Sequence, residues 1–285
     1  MLPRMSLADV AKETVEIVER GTYTCPSGQV VSIRDELAAA LAGTVLHRPG
    51  DFDDGALPRP HGGGAPPKLE VWADTTAGAA RRLAEAPGAA KVAALNFASA
   101  KNPGGGFLGG AKAQEEDLAR CSALYHCLRT QRDYYAVNRA ESSMLYTDHI
   151  IYAPAVLFFR DERLDLLARP FCAAIVTAPA PNAGEHLRRD ADGHAAIAAA
   201  LDRRAERVLR VFAHHRERVL VLGAWGCGVF RNDPAAVAAT FMRWLHAPEY
   251  LGAFDHVVFA IHARGGPEQR TLRAFEDAVN DSAGA

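Results

Sequence analysis

Apolar residues near the start of the chain repeat every three or four positions. This spacing predicts an amphipathic helix that begins after Ser6 and ends at Gly21. A short strand over 29–33 and a helix over 33–41 are predicted next. From Pro49 to Pro67 the chain is rich in proline, glycine and aspartate and shows almost no periodicity, which is typical of a surface loop or linker.

Beyond this loop, short apolar stretches alternate with longer amphipathic ones. The predicted strands are 69–73, 91–97, 149–153, 156–159, 171–177, 219–222 and 257–261. The predicted helices are 75–86, begun by Asp74, then 114–129, 195–214, 234–246 and 271–280. The alternation indicates a mixed, largely parallel sheet covered by helices on both faces, with some antiparallel pairing between 149–153 and 156–159.

The chain is therefore expected to divide into a helical extension with its loop, residues 1–67, and an α/β core, residues 68–285. Ligands of such sheets bind beyond the carboxyl ends of the strands. The loops after Phe97, Thr177 and Leu222 meet that condition, so we expect the functional site there.

Composition narrows the class of protein. With 285 residues, 49% of them hydrophobic and 23% charged, the chain is long and apolar enough for a substantial globular core. A net charge of −2 gives no basic field, so direct DNA binding is not expected. The five cysteines are odd in number and form no CxxC pair, which argues against a disulfide framework or zinc site and favours the cytoplasm. No signal peptide or 18-residue apolar run is found, so no membrane association is expected.

A glycine-dense loop runs directly into two carboxylates. Its notable residues are Asn102, Pro103, Gly104, Gly105 and Gly106, then Gln114, Glu115 and Glu116. Bare glycine backbone before a helix favours phosphate, whereas two glutamates repel it. Together they predict a site that binds a phosphate-bearing molecule at one end and performs acid–base chemistry at the other. The alternative is that the acids only offset the helix dipole, with Glu116 paired to Arg120.

Two common nucleotide motifs do not fit this loop. Gly104-x-Gly106-x-x-Gly109 matches the dinucleotide spacing, but five residues, Ser99 to Pro103, separate it from the end of the predicted strand near Ala98. Gly110 is followed by Ala111 and Lys112, where a P-loop needs lysine and then serine or threonine. A nucleotide-dependent oxidoreductase therefore remains only a remote alternative.

A second glycine loop leaves a buried strand and enters a helix at Pro234. Its candidate ligand-binding residues are Gly223, Trp225, Gly226, Cys227, Gly228, Val229, Phe230 and Asn232. Closely spaced glycines let successive N–H groups face an anion, and Phe230 offers a flat face to a ribose or base. A plain tight turn is the alternative, and Cys227 has no histidine partner that the sequence places. In the loop after Thr177, Asn182 belongs to a rigid turn or, by the family resemblance described next, lines the rim of the pocket.

The first loop resembles the signature of bacterial-type poly(ADP-ribose) glycohydrolases. The resemblance rests on Asn96 to Gly106, including Phe97 and Ala98, followed after seven residues by Gln114-Glu115-Glu116. The second loop is similar to the diphosphate loop of macrodomains. This resemblance implies a macrodomain-like three-layer α/β/α fold with a mixed central sheet and an N-terminal helical extension.

The same resemblance implies the activity and the roles of the residues. ADP-ribose and poly(ADP-ribose) are the expected ligands, and cleavage is expected from the polymer end, reversing ADP-ribosylation as in a DNA damage response. Glu116 is the expected general acid and base, with a pKa raised by burial and by its neighbour, while Glu115 and Asn96 hold ribose hydroxyls. We expect a monomer without cofactor or metal. The open alternatives are a non-catalytic ADP-ribose reader and a hydrolase of other ADP-ribosyl compounds.

Overall fold

The computed structural model describes residues 5–52, 64–263 and 265–283. The strands are β1 (Thr22–Thr24), β2 (Val30–Ser32), β3 (Val45–His47), β4 (Lys68–Trp72), β5 (Val92–Phe97), β6 (Ile150–Arg160), β7 (Leu166–Ala178), β8 (Val219–Gly223) and β9 (His256–Ala260). The helices are α1 (Leu7–Arg20), α2 (Arg34–Gly43), α3 (Thr76–Ala84), α4 (Gln114–Cys121), α5 (Leu124–Arg129), α6 (Arg132–Ala140), α7 (Ala183–Arg189), α8 (His194–His214), α9 (Pro234–Leu245) and α10 (Pro267–Ala283).

Seven of these strands form one mixed sheet in the order β3-β6-β7-β5-β8-β9-β4. The five strands from β7 to β4 run parallel, whereas β6 is antiparallel to both β7 and β3. The carboxyl ends of β5, β7 and β8 therefore meet at one edge. The mixed three-layer fold expected from the sequence is confirmed.

Side chains of β5 show how the sheet divides the core. Ala93 and Leu95 pack with α8 and α9 on one face, whereas Val92 and Ala94 pack with α3, α4 and α5 on the other. Successive side chains of a strand point to opposite faces, so a strand buried on both faces is apolar throughout. This explains why the central strands read as continuous apolar runs.

The predicted helix over 114–129 is wrong in one respect, because it breaks at Ser122 into α4 and α5. Ser122 is extended and forms an isolated bridge with Phe158 of β6. Its hydroxyl donates to the carbonyl of Leu118 and accepts from the N–H of Leu124. This long-range pairing, which local periodicity does not reveal, ends the first helix.

The two strands predicted at 149–153 and 156–159 are also wrong as separate elements, because they form the single strand β6. Its register to β7 shifts between Ala153 and Val156, around Pro154. Proline has no N–H for the ladder and is therefore tolerated at such a bulge.

The start of helix α3 also differs from the prediction. It is capped by the hydroxyl of Thr75, which accepts from the N–H of Gly78, rather than by Asp74.

Elements β1, β3, α6 and α7 were not predicted. Strand β3 lies within the expected extension, yet it pairs with β6 of the central sheet. The first 67 residues therefore supply an edge strand as well as α1, whose cap at Ser6 and left-handed end at Gly21 confirm the predicted helix. Most of the predicted loop from Pro49 to Pro67 lies outside the described residues.

Arg204 of α8 is fully buried and joins the loop before β6 to the loop after β7. Its Nε donates to Asp148 at 3.0 Å, and its terminal nitrogens donate to the carbonyls of Pro179 at 2.8 Å and Leu145 at 2.9 Å. A buried guanidinium with these partners is costly to remove, because the remaining acceptors lose their donors.

We predict that Arg204→Met lowers the free energy of unfolding by about 3 kcal/mol. The matched control is Arg203→Met, since Arg203 pairs with the same Asp148 but is half exposed, and its loss should cost about 1 kcal/mol or less. Urea denaturation of both variants measures the difference. Equal destabilisation would show that Asp148 alone, and not the buried carbonyl contacts, accounts for the stability.

Candidate active site

A large cavity lies at the sheet edge where β5 and β8 end. The predicted residues that line it are Phe97, Ala98, Gln114, Glu115, Glu116, Gly226, Cys227, Gly228, Val229 and Phe230. The second glycine loop and the chain on both sides of the first glycine run thus line one cavity, although more than a hundred residues separate them. Pro103, Gly104, Gly105 and Gly106 are not among the lining residues. The loop after β7 supports the second glycine loop from behind.

Glu115 is held beneath the cavity floor and is only 2% exposed. One carboxylate oxygen accepts from the N–H of Ser99 at 2.6 Å, and the other accepts from Asn96 Nδ2 at 3.2 Å. Asn96 Nδ2 also donates to the hydroxyl of Thr177 on β7. The two strands β5 and β7 therefore fix the orientation of this carboxyl group.

Glu116 takes a different set of partners. Its Oε1 accepts from the N–H of Gly106 at 2.8 Å. A Cβ atom built on Gly105 would lie 2.3 Å from this oxygen and 3.3 Å from Oε2 of Glu115. The two carboxylates therefore converge on Gly105, where no side chain fits. Gly104 and Gly105 both have positive φ, 67° and 57°, a conformation that glycine adopts at little cost.

The electrostatics of the pair differ from the expectation in one respect. Burial raises the pKa of Glu115 to about 8, and the hydrogen bonds from Ser99 and Asn96 oppose that effect only in part. The negative charge of Glu116 acts in the same direction as burial. Glu115, the residue assigned to the ribose hydroxyls, therefore has a raised pKa that the sequence did not lead us to expect.

Gln114 ties the start of α4 to the sheet. Its Oε1 accepts from the N–H of Phe97, and its Nε2 donates to the carbonyl of Leu95 and to the hydroxyl of Thr76. All three side chains of the Gln-Glu-Glu triplet are thus bonded to the chain around β5 and its following loop. Thr76 and Thr177, which the sequence did not indicate as site residues, supply part of this framework together with Ser99 of the signature.

The second loop is built around Gly226, whose φ is 74°. A Cβ there would lie 2.4 Å from Asn232 Nδ2 and 2.5 Å from the Cβ of Ala180. Asn232 is itself buried and donates to the carbonyls of Pro181 and Gly226. Asn232 thus braces the loop from inside, whereas Gly228 has open space around it and Val229 is 82% exposed.

Three predicted binding residues, Trp225, Asn182 and Gly223, have structural contacts within the protein. Trp225 is fully buried, and its Nε1 donates to the carbonyl of Ala178. Asn182 caps α7 by accepting from the N–H of Glu185. Gly223 lies against the carbonyl of Ala260, so its role is close packing. None of the three is among the residues that line the cavity, and their contact with a ligand stays a prediction.

Cys227 shows no activation. Burial raises the pKa of its thiol to about 12, and its sulfur donates only to the carbonyl of Trp225 at 3.8 Å. A nucleophile needs a lowered pKa or an adjacent base. The weak nucleophile hypothesis therefore gains no support. Within the described chain, no three His, Cys, Asp or Glu side chains are grouped to hold a metal ion.

Tyr146 is a cavity residue that the sequence did not indicate. Its ring lies 5.9 Å from that of Phe230, and its backbone has a left-handed φ of 60°. Non-glycine residues rarely adopt this conformation, and here the buried Arg204 donates to the carbonyl of Tyr146 at 3.2 Å. Its position depends on two segments that are distant in sequence, which is why no local motif reveals it.

Comparison with known proteins places the chain in a family. Residues 11–161 match the family model of the microbial-type PARG catalytic domain. The poly(ADP-ribose) glycohydrolase of Thermomonospora curvata is 47% identical, with 96% of this chain and 100% of that chain covered and a TM-score of 0.89. Its structure bound to the inhibitor ADP-HPD is 46% identical, covers 96% of this chain and 99% of that chain, and gives a TM-score of 0.86.

A third structure extends the comparison to another organism. The poly(ADP-ribose) glycohydrolase of Deinococcus radiodurans in complex with ADP-ribose is 48% identical over 86% of this chain and 97% of that chain, with a TM-score of 0.79. No match is found among curated proteins. Within the described residues, no helix has both the length and the apolar character needed to cross a membrane. On the family match and these identities, the chain belongs to the microbial-type poly(ADP-ribose) glycohydrolases.

Proposed function

We propose that this protein hydrolyses the ribose–ribose glycosidic bonds of poly(ADP-ribose) and releases ADP-ribose from the polymer end. Glu116 is the general acid and base, and Glu115 and Asn96 orient the ribose. The observation that carries this proposal is the convergence of two carboxylates on Gly105, each held by a different backbone N–H. A reader without turnover has no need for such a pair.

The chemistry follows from the separate environments of the two carboxylates. Cleavage passes through an oxocarbenium-like state and needs a proton on the departing 2′ oxygen. Glu116 lines the cavity, and one of its carboxylate oxygens accepts a hydrogen bond from the N–H of Gly106. Its other oxygen is then available to face the scissile bond. After the leaving group departs, the same carboxylate accepts a proton from the attacking water.

Glu115 serves the ribose. It is protonated for the most part at neutral pH, since burial raises its pKa to about 8. A neutral carboxyl fixed by Ser99 and Asn96 can share hydrogen bonds with hydroxyl groups without placing its own negative charge beside the substrate.

The second loop is assigned to the diphosphate. Gly226 and Gly228 keep its backbone bare, and the brace of Asn232 fixes its shape before a ligand arrives. Phe230 and Tyr146 flank the cavity and offer aromatic faces to a base or ribose. Binding energy at this end positions the sugar linkage over Glu116.

The proposal includes a cytoplasmic monomer whose residues 1–67 extend a core of residues 68–285. The five cysteines are free thiols, as a reducing compartment favours. Pro103, Gly104 and Gly106 shape the loop that presents the carboxylates, while Phe97, Ala98, Cys227 and Val229 line the pocket.

We predict that Glu116→Gln lowers the rate of polymer hydrolysis by about 100-fold or more while ADP-ribose affinity changes little, because the amide cannot exchange the proton. Release of ADP-ribose from labelled polymer measures the rate, and calorimetry measures the affinity. The matched control is Glu85→Gln, an exposed carboxylate at the end of α3, which should leave both unchanged. Unchanged turnover in Glu116→Gln would move the proton donor elsewhere. A wild-type protein that binds ADP-ribose without cleaving polymer would be a reader.

We predict that Gly105→Ala reduces kcat by about 10-fold or more with a smaller effect on stability, because the new Cβ displaces the Glu116 carboxylate. Left-handed alanine should cost only about 1 kcal/mol in unfolding free energy. Gly109→Ala is the control, since nothing lies within 4 Å of its Cβ position. Steady-state kinetics and thermal melting of both variants test this. Similar kcat values for the two would contradict the placement of Glu116.

A third prediction concerns pH. The folded-state pKa of Glu115 is raised from 4.5 to about 8, so the folded protein holds a proton that the unfolded chain has lost between these values. Wild-type stability should therefore fall across this window, and Glu115→Gln should remove that part of the fall. The melting temperature of the variant minus that of the wild type should rise from pH 5 to pH 8. A difference that is constant with pH would show that Glu115 has an ordinary pKa.

A further inference from the structure

The active-site cavity is larger than one ADP-ribose requires. Its volume is about 1630 Å³, whereas pockets for single ligands of this size span roughly 300–1,000 Å³. Part of the remaining space lies between the start of α1 and the loop that precedes α4. This part, the α1 lobe, is lined by Met5, Ser6, Leu7, Lys112 and Ala113.

Helix α1 is a fixed wall of this lobe. The hydroxyl of Thr14 donates to the carbonyl of Arg120 on α4 at 2.8 Å, in a buried position. Ala11 of α1 packs against Phe107 of the glycine loop and Ala119 of α4. The helix is therefore bound to the two segments that present Glu116.

Lys112 is presented to the lobe by a rigid backbone. Arg120 is fully buried, and its Nη1 donates to the carbonyl of Ala111 at 2.7 Å, directly before Lys112. Ala113 follows as the first turn of α4 begins. Lys112 therefore lies four residues before Glu116, on a backbone that a buried side chain holds in place. The side chain of Lys112 itself is exposed.

Two basic side chains that line this part of the cavity have no acidic partner among the described residues. Within residues 5–52, 64–263 and 265–283, neither Lys112 nor Arg163 forms an ion pair. Of the lining carboxylates nearby, Asp117 is paired with Arg120 and Glu162 with Arg81. Asp165 is the remaining acid there.

The lobe also offers apolar surface. Met5 is 50% exposed, and Leu7 is half-buried beside it. Methionine and leucine side chains next to a cation suit a ligand that combines a planar base with phosphate groups. This is the chemistry of the unit that departs when the bond at Glu116 is cleaved, namely an adenosine with its diphosphate.

We propose that the α1 lobe binds the departing part of the poly(ADP-ribose) chain, with Lys112 contacting its diphosphate and Met5 and Leu7 its adenine. This inference rests on the proposed hydrolase function. It assigns to the N-terminal helix a role in recognising polymer rather than single ADP-ribose. Two properties favour this occupant: the lobe is continuous with the catalytic cavity, and its available charge is opposite to that of the polymer.

The test compares two substrates in the full-length protein. One is long poly(ADP-ribose), and the other is ADP-ribose carrying a small fluorogenic alcohol on the distal ribose, which has the scissile bond but no departing nucleotide. We expect Lys112→Ala to lower kcat/KM for the polymer about 5-fold more than for the small substrate. Lys112→Glu should increase this difference between the two substrates further. For Lys112→Ala, the slope of log kcat/KM for polymer against log salt concentration should become shallower by about 0.7.

Lys91→Ala is the control, because Lys91 is also exposed but lies at the start of β5, at the opposite edge of the sheet. It should leave both rates unchanged. Equal losses on the two substrates would overturn the inference, because Lys112 would then act on the ADP-ribose being released. No loss on either would overturn it as well, while leaving the hydrolase function intact. A wild-type protein that cleaves neither substrate would instead refute the proposed function itself.

Discussion

Two backbone N–H groups, those of Ser99 and Gly106, make this site possible. Adjacent glutamates in the first turn of a helix repel each other, and each needs its own hydrogen-bond donor to remain buried. The loop between β5 and α4 supplies both donors by folding back over the helix start. That path requires positive φ at Gly104 and Gly105, and a side chain at Gly105 would occupy the place of the Glu116 carboxylate. The glycines are therefore needed to leave room for the carboxylates, and not only to let a phosphate come close to the backbone.

Helix α6 links the first glycine loop to the segment around Tyr146 on the other side of the cavity. Arg139 donates to the carbonyl of Lys101 in the first glycine loop, while Asn138 accepts from Thr147 beside Tyr146. Tyr134 and Tyr135, on the same helix, are buried. Burial raises the pKa of both phenols, and the charge of Glu115 adds to that effect. One helix thus touches the loops on both sides of the cavity and lies within electrostatic reach of its floor. Displacement of α6 would disturb the site without any change to the catalytic residues.

The sequence indicated the parts of the fold that depend on local pattern. The apolar runs of β5 and β8 and the capped helix α1 were predictable, since spacing and end residues alone determine them. The break at Ser122 was not, because it arises from a bridge to Phe158, far along the chain. The site shows the same division. Glu115 and Glu116 were found by their motif, whereas Tyr146 owes its left-handed backbone to a loop joined to α8 through Arg204.

The tension between a loop suited to phosphate and a helix that begins with two acids is resolved by burial. Removing Glu115 from water raises its pKa to about 8, so one of the two carboxyl groups is neutral for the most part when the enzyme works. Glu115 then adds little negative charge to the site that receives a ligand with two phosphates. The cost is a proton that the folded protein must retain and the unfolded chain gives up, which reduces stability as pH rises. An exposed glutamate at this position would avoid that cost, but it would keep its negative charge and lose the hydrogen bonds from Asn96 and Ser99 that fix its orientation.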